Sequence, residues 1–217
     1  MKQPKVIFLD AVGTLFYIKG SVGTVYADIA SQFGVKVAGE AVNAAFFQSF
    51  VAAPPPMFPG VKLEDIPDYE YEWWQSVALD TFNRVGVLEK FADFATFFDS
   101  LYSHFATAKP WFIYADVIPT LEYWQRRGIE LGIISNFDSR LYLVLAALGL
   151  EKFFSSITIS TEAGAAKPES QIFITALSKH KCLPENAWHI GDSFKEDYQG
   201  AAKAGLRAIL LKRSEYL

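Results

Sequence analysis

Asp10, Asp192, Asp197, Lys167 and Ser135 are the residues of this chain whose types could do chemistry together. Each belongs to a short polar cluster at or beyond the end of an apolar run. The clusters are Asp10-Ala11-Val12-Gly13-Thr14-Leu15, Ser135-Asn136-Phe137-Asp138, Ala166-Lys167-Pro168, and Gly191-Asp192-Ser193 with Asp197 beyond it. Three carboxylates gathered in one place repel one another unless a cation lies between them, and carboxylates with water are what Mg²⁺ prefers. A serine hydroxyl and the backbone N–H groups after Asp10 and Ser135 offer donors to an anion. Lys167 supplies a positive charge that can hold a carboxylate and a phosphoryl oxygen together. Once metal and lysine neutralise the substrate, a carboxylate can act as a covalent nucleophile.

These clusters need elements that bring them together. Five apolar runs, 6–9, 129–134, 157–160, 188–190 and 208–211, are too short for helices and most are rich in Ile or Val. Continuous rather than alternating apolar runs predict parallel strands covered on both faces. Helical patterns at 119–127, 141–148, 168–179 and 197–204 alternate with them, which predicts a doubly wound α/β sheet. Ligands of such sheets bind outside the carboxyl ends of the strands, so the four clusters converge on one site.

The stretch 20–109 breaks the alternation. Val22, Val25, Tyr26, Ile29 and Phe33 recur at helical spacing, and 41–51, 68–85 and 91–105 also read as helices, with a Pro-rich loop at 53–60. The expected organisation is a core of residues 1–16 and 110–217 with an all-helical block, 17–109, inserted after the first strand. Hinges are expected near 17–20 and 109–110.

The bulk properties fit a small-molecule partner. The chain has 217 residues, 51% of them hydrophobic, and a formal charge of −4. That charge gives no general attraction to nucleic acid or an anionic membrane. A single cysteine, Cys182, precludes an intrachain disulfide and suits a reducing compartment. Residues 1–5 are short and polar rather than a signal peptide, and no apolar run is long enough to span a bilayer. A cytoplasmic protein, monomer or homodimer, is expected.

The four clusters, in this order, resemble the four motifs of the haloacid dehalogenase superfamily. The helical insertion resembles that superfamily's α-helical cap of the first type. The resemblance implies a Rossmann-like, three-layer core with a parallel sheet, and a cap that closes over the site and excludes water. It implies Asp10 as nucleophile and Mg²⁺ ligand, the Val12 carbonyl and Asp192 as further ligands, and Asp197 supporting the metal directly or through water. Lys167 becomes the catalytic charge-balancing lysine. Thr14 shapes the loop and counts with Ser135 and Asn136 among the substrate-binding residues. The implied reaction is Mg²⁺-dependent hydrolysis of a small phosphorylated metabolite through an aspartyl-phosphate.

One position departs from the pattern. Phosphatases of this superfamily usually carry a second aspartate two residues after the nucleophile, and here that residue is Val12. Three rival readings follow: a dehalogenase-like enzyme, a phosphonate-cleaving enzyme, and a catalytically weak binding or regulatory protein. The dehalogenase reading would need a halide-binding arginine near the cap, yet no arginine precedes Arg84, and Gly191-Asp192 suits a metal. The phosphonate reading would need a cap lysine, and neither Lys36 nor Lys62 is marked as one.

Other polar residues take plainer readings. Asp138 and Ser193 read as helix caps, and His189 as a packed or hydrogen-bonded core residue. His104 and His180 lack metal-ligand spacing, and Cys182 reads as structural. The aromatic block of the insertion reads mainly as helical core. Trp73 and Trp74 point about 100° apart on a helix, so one of them must leave that core.

Overall fold

The computed structural model describes residues 3–213; the outermost residues of the expected core, 1–2 and 214–217, lie outside that range. In chain order come β1 (Val6–Leu9), β2 (Phe16–Ile18), α1 (Val22–Gln32), α2 (Gly39–Ala52), α3 (Ile66–Val85), α4 (Phe94–His104) and β3 (Trp111–Ile113). Then follow α5 (Val117–Arg126), β4 (Glu130–Ser135), α6 (Arg140–Ala147), β5 (Ser156–Ile159), α7 (Ser160–Ala163), α8 (Ser170–Lys179), β6 (Ala187–Gly191), α9 (Gly200–Lys203) and β7 (Arg207–Leu210). A wide π-turn over Phe194–Gln199 leads into α9.

By internal contacts the chain divides into two units: Met1–Tyr17 with Pro56–Ile66 and Phe112–Leu217, and Ile18–Pro55 with Pro67–Trp111. The first carries a five-stranded sheet in the order β5-β4-β1-β6-β7, every pairing parallel. It is a Rossmann-like α/β fold. The central strand β1 is buried along its whole length, as a parallel strand covered on both faces must be. From β1 the chain order runs outward both ways, to β4 on one side and β6 on the other, so the switch point lies at the end of β1. Helix α8 buries Ile172, Phe173, Ala176 and Leu177 against Val6, Phe8 and Ile134 of the sheet.

The segment Pro56–Ile66 interrupts the helical stretch in sequence but groups with the sheet. Ser160 Oγ donates to the Pro56 carbonyl at 2.8 Å. Ser160 was expected to end the third sheet strand; β5 stops at Ile159 and Ser160 opens α7 instead.

The second unit is helical. Gly23 of α1 lets α2 approach closely: a Cβ there would lie 2.2 Å from the Gly39 carbonyl oxygen. Its core is aromatic, with Phe82 edge-on to Phe97 at 5.1 Å and Tyr26 edge-on to Phe46 at 5.4 Å. Trp73 is buried and donates its indole N–H to the Pro54 carbonyl; Trp74 is half-buried, yet its ring stays edge-on to Trp73 at 4.8 Å and both pack on Phe50, so neither leaves the aromatic cluster. Near the expected hinges, β2 and β3 pair with one another as a two-stranded sheet. Three-residue strands are too short to show a period.

At the start of the main sheet, His180 sits between Glu130, which faces its Nδ1, and Ser156, whose Oγ is 2.6 Å from its Nε2. This cluster ties the first residues of β4 and β5 to the end of α8.

Candidate active site

Asp10 follows directly on β1, and its N–H donates to the Ile190 carbonyl at 2.9 Å, which continues the sheet pairing one residue past the strand. Leu9 pairs with Ile133 of β4 and Ile190 of β6, so Ser135 and Asp192 both stand level with Ala11. The parallel register therefore delivers three clusters to one edge. The loop after Asp10 turns on Gly13, at φ +89°, where a Cβ would lie 2.5 Å from the Asp192 carboxylate. Only glycine has both the φ and the space. Thr14 Oγ donates to Asp192 Oδ1 at 3.1 Å.

Lys167 is the centre of the site. The residue is 4% exposed, and its ammonium donates at 2.6 Å to Asp10 Oδ1 and at 2.6 Å to Asp197 Oδ1. Burial by itself would lower its pKa. The charges of Asp10 and Asp197 outweigh that and hold it above the usual lysine range. The Lys167 backbone is clamped in turn: its N–H donates to Asn136 Oδ1 at 2.7 Å, and its carbonyl accepts from Asn136 Nδ2 at 2.9 Å. The side-chain amide of Asn136, expected among the substrate-binding residues, thus also fixes the lysine's backbone. Thr14 likewise directs its hydroxyl to an acid. Ser135, 3% exposed, ends β4 on the same edge.

Asp197, 1% exposed, lies under the loop at the end of β6. Its approach requires Gly191, where a Cβ would fall 2.2 Å from the Asp197 carboxyl carbon. Oδ2 accepts the Ser193 N–H at 2.9 Å, and Oδ1 accepts from His189 Nε2 at 2.8 Å as well as from Lys167. Burial would raise its pKa, but the His189 hydrogen bond and the Lys167 charge hold it below the ordinary carboxylate range. Asp192 goes the other way, pushed up by burial and by the charges of Asp10 and Asp197.

Asp10, Asp192 and Asp197 each offer an oxygen within 4.8 Å of the others. Three carboxylates against the one ammonium leave two negative charges, and His189 adds none because burial holds its imidazole below its usual range. Hard oxygen donors with two surplus negative charges fit a divalent cation of the Mg²⁺ kind. Val12 lies within this loop, half-buried, with a side chain that can neither donate nor accept.

Two neighbours of the site were not singled out as functional by sequence. His189 was read as a packed or hydrogen-bonded core residue; it is both buried and hydrogen-bonded, and its partner is Asp197. Glu196, in the π-turn, has a half-buried carboxyl pushed up first by its burial. Its place beside Asp197 was the only signal in the sequence.

Replacing the buried lysine should hurt the fold as well as the chemistry. Lys167→Met strips Asp10 and Asp197 of their counter-charge, and breaking a buried pair from one side costs about 3–5 kcal/mol. Denaturant melts of the metal-free protein should show that loss, and an unchanged midpoint would mean the carboxylates are not held as charged groups.

Comparison with known proteins places this geometry in a family context. The family model for haloacid dehalogenase-like hydrolases matches residues 4–205. The chain is 31% identical to haloacid dehalogenase-like hydrolase domain-containing protein 3 of Bos taurus, covering 99% of this chain and 84% of that protein. It is 37% identical over 113 residues to a glyceraldehyde 3-phosphate phosphatase of Methanopyrus kandleri, covering 52% of this chain and 47% of that protein. Among solved structures, a HAD phosphatase from Thermococcus onnurineus superposes with a TM-score of 0.65 at 21% identity, over 98% of this chain and 89% of that one. That last likeness bears on the fold.

Proposed function

The chain belongs to the haloacid dehalogenase-like hydrolases, and from that membership we propose a Mg²⁺-dependent phosphohydrolase acting on a small phosphorylated metabolite through Asp10. The observation that carries the reading is the Lys167 ammonium shared between Asp10 and Asp197 beside Asp192, a cluster two negative charges in excess. The phosphatase relative from Methanopyrus kandleri supports the same class of reaction.

In this reading Asp10, the Val12 carbonyl and Asp192 would hold Mg²⁺, with Asp197 supporting them directly or through water, and the bound ion would supply charge neutralisation for the phosphoryl group. Lys167 holds Asp10 Oδ1, which leaves Oδ2 as the attacking atom. The Asp10 oxygen forms a bond to phosphorus while the ester oxygen departs with its electron pair. Water then cleaves the aspartyl-phosphate, releasing phosphate and restoring the carboxylate. Ser135 and the backbone N–H groups of the Asp10 loop bind the transferred group.

Val12 shapes the substrate class. A departing alkoxide needs a proton, and the position that usually supplies one holds an apolar side chain. Substrates whose leaving group is stable as an anion, such as aryl or acyl phosphates, are therefore favoured over alkyl phosphates.

The same residue favours a second reading, a phosphate-binding protein that turns over little. The two separate in one assay: phosphate release from aryl, acyl and alkyl phosphates, with Mg²⁺ and with chelator. Turnover that chelator abolishes is the expected result. Absent turnover with retained Mg²⁺-dependent binding of a phosphate analogue would replace the enzyme by the binding protein.

Among the described residues no helix is long and apolar enough to cross a membrane. With its single cysteine and small net negative charge, the protein is proposed to work in the cytoplasm, as monomer or homodimer, on a small metabolite rather than nucleic acid.

A further inference from the structure

We infer that His189 is a positioning residue of this site, which through Asp197 aims the Lys167 ammonium at the Asp10 carboxylate. The inference deepens the phosphohydrolase reading and shares its site. His189 is the middle residue of β6, level with Phe8 of β1 and Ala208 of β7, and is 0% exposed. Phe173 of α8 stands edge-on to its ring at 5.3 Å. Everything about that position suits an apolar side chain. An imidazole there carries a cost, because its Nδ1 is buried with no hydrogen-bond partner.

The other nitrogen is used. Asp197 Oδ1 lies 2.8 Å from Nε2 and already accepts the Lys167 ammonium at 2.6 Å. A carboxylate oxygen can only accept, so Nε2 carries the proton and donates. The Ser193 N–H holds the other oxygen at 2.9 Å. Two donors, one fixed in the inner strand β6 and one in the loop after it, therefore set the plane of the Asp197 carboxylate. A carboxylate free to rotate about its last bond would let the lysine drift; one held at both oxygens fixes the direction from which Lys167 approaches. The chain His189–Asp197–Lys167–Asp10 thus runs from the sheet interior to the nucleophile without a gap. Groups that orient a ligating or reacting side chain in this way act without touching substrate.

The test uses two variants of the full protein. His189→Gln keeps an N–H at about the reach of Nε2, and His189→Met fills the space without a donor. The first readout needs no ligand: the ¹H–¹⁵N correlation of the Lys167 ammonium in metal-free protein, assigned by its absence in Lys167→Met. The second is kcat and KM on an aryl phosphate with Mg²⁺. Met is expected to erase or broaden the ammonium signal and to lower kcat by roughly 10–100-fold with little change in KM, and Gln to restore most of both. Met matching wild type in both readouts, with only a lower melting temperature, would make His189 a packing residue and overturn the inference. So would Gln and Met losing the signal alike. If no variant and no wild type turns over, the ammonium signal still decides His189, and the phosphohydrolase reading alone falls.

Discussion

Asp10→Asn is expected to lower turnover of a phosphate ester by on the order of 10⁴ or more while leaving the protein folded. The amide cannot supply the electron pair that attacks phosphorus, so the covalent route closes rather than slows. The fold should tolerate the change because of the charge count. In the metal-free protein Asp10, Asp192 and Asp197 face a single ammonium, so removing one charge takes the local excess from two to one. Lys167 keeps its bond to Asp197 and its backbone clamp on Asn136. Thermal melts without metal should therefore match wild type or exceed it, opposite in sign to Lys167→Met. Affinity for Mg²⁺ should fall as the surplus negative charge is halved. Substantial turnover by Asp10→Asn, with the substitution verified by mass, would sink the covalent assignment.

The two variants together ask whether charge balance, rather than packing, governs this cluster. A site selected only for stability would not gather two buried acids and a third, exposed one beside a single lysine. The Asp192 carboxyl is pushed up first by desolvation and then by the charges of Asp10 and Asp197, and a divalent cation would relieve that repulsion. The local instability and the proposed metal site are two aspects of the same surplus charge.

What the sequence made legible follows from the same physics. The strands could be read because a parallel sheet covered on both faces demands unbroken apolar runs, and 6–9 is one such run. Once the strands are known, the register does the rest: Asp10, Ser135 and Asp192 must reach one edge because each ends or directly follows a parallel strand. The bonds that fix the site were not legible, because they join residues far apart in the chain through side chains with several possible partners. Asn136 reads as a ligand-binding amide or a helix start, and only the tertiary structure shows it clamped to Lys167. His189 reads as core, and its bond to Asp197 depends on Gly191 letting that acid come close. The strands β2 and β3 have three residues each, too few for a pattern. Pro56–Ile66 lies within the helical stretch by sequence, and its grouping with the sheet is a tertiary fact, marked by the Ser160 hydroxyl on the Pro56 carbonyl.

Val12→Asp is the substitution expected to add activity rather than remove it. The backbone of the turn is fixed independently of the Val12 side chain: Gly13 N–H donates to the Phe16 carbonyl at 2.9 Å, and Leu15 N–H to the Ala11 carbonyl at 2.8 Å. A new carboxyl at position 12 can therefore be placed without rebuilding the loop. A positioned general acid and base is worth roughly 10²–10⁴ in rate, and this one would act twice. It would protonate the departing oxygen in the first half-reaction and take a proton from water in the second. The gain should depend on the substrate. Alkyl phosphates, whose alkoxide cannot leave unprotonated, should improve most, whereas aryl phosphates gain only in the hydrolytic half. The ratio of alkyl to aryl turnover, measured for wild type and variant under the same Mg²⁺, isolates the proton from every other property of the site. A rise in that ratio would show an intact phosphate site whose chemistry is limited by residue 12. A folded, Mg²⁺-binding variant with an unchanged ratio would mean that another group already carries the proton. The half-buried Glu196 beside Asp197 would then be the next residue to replace.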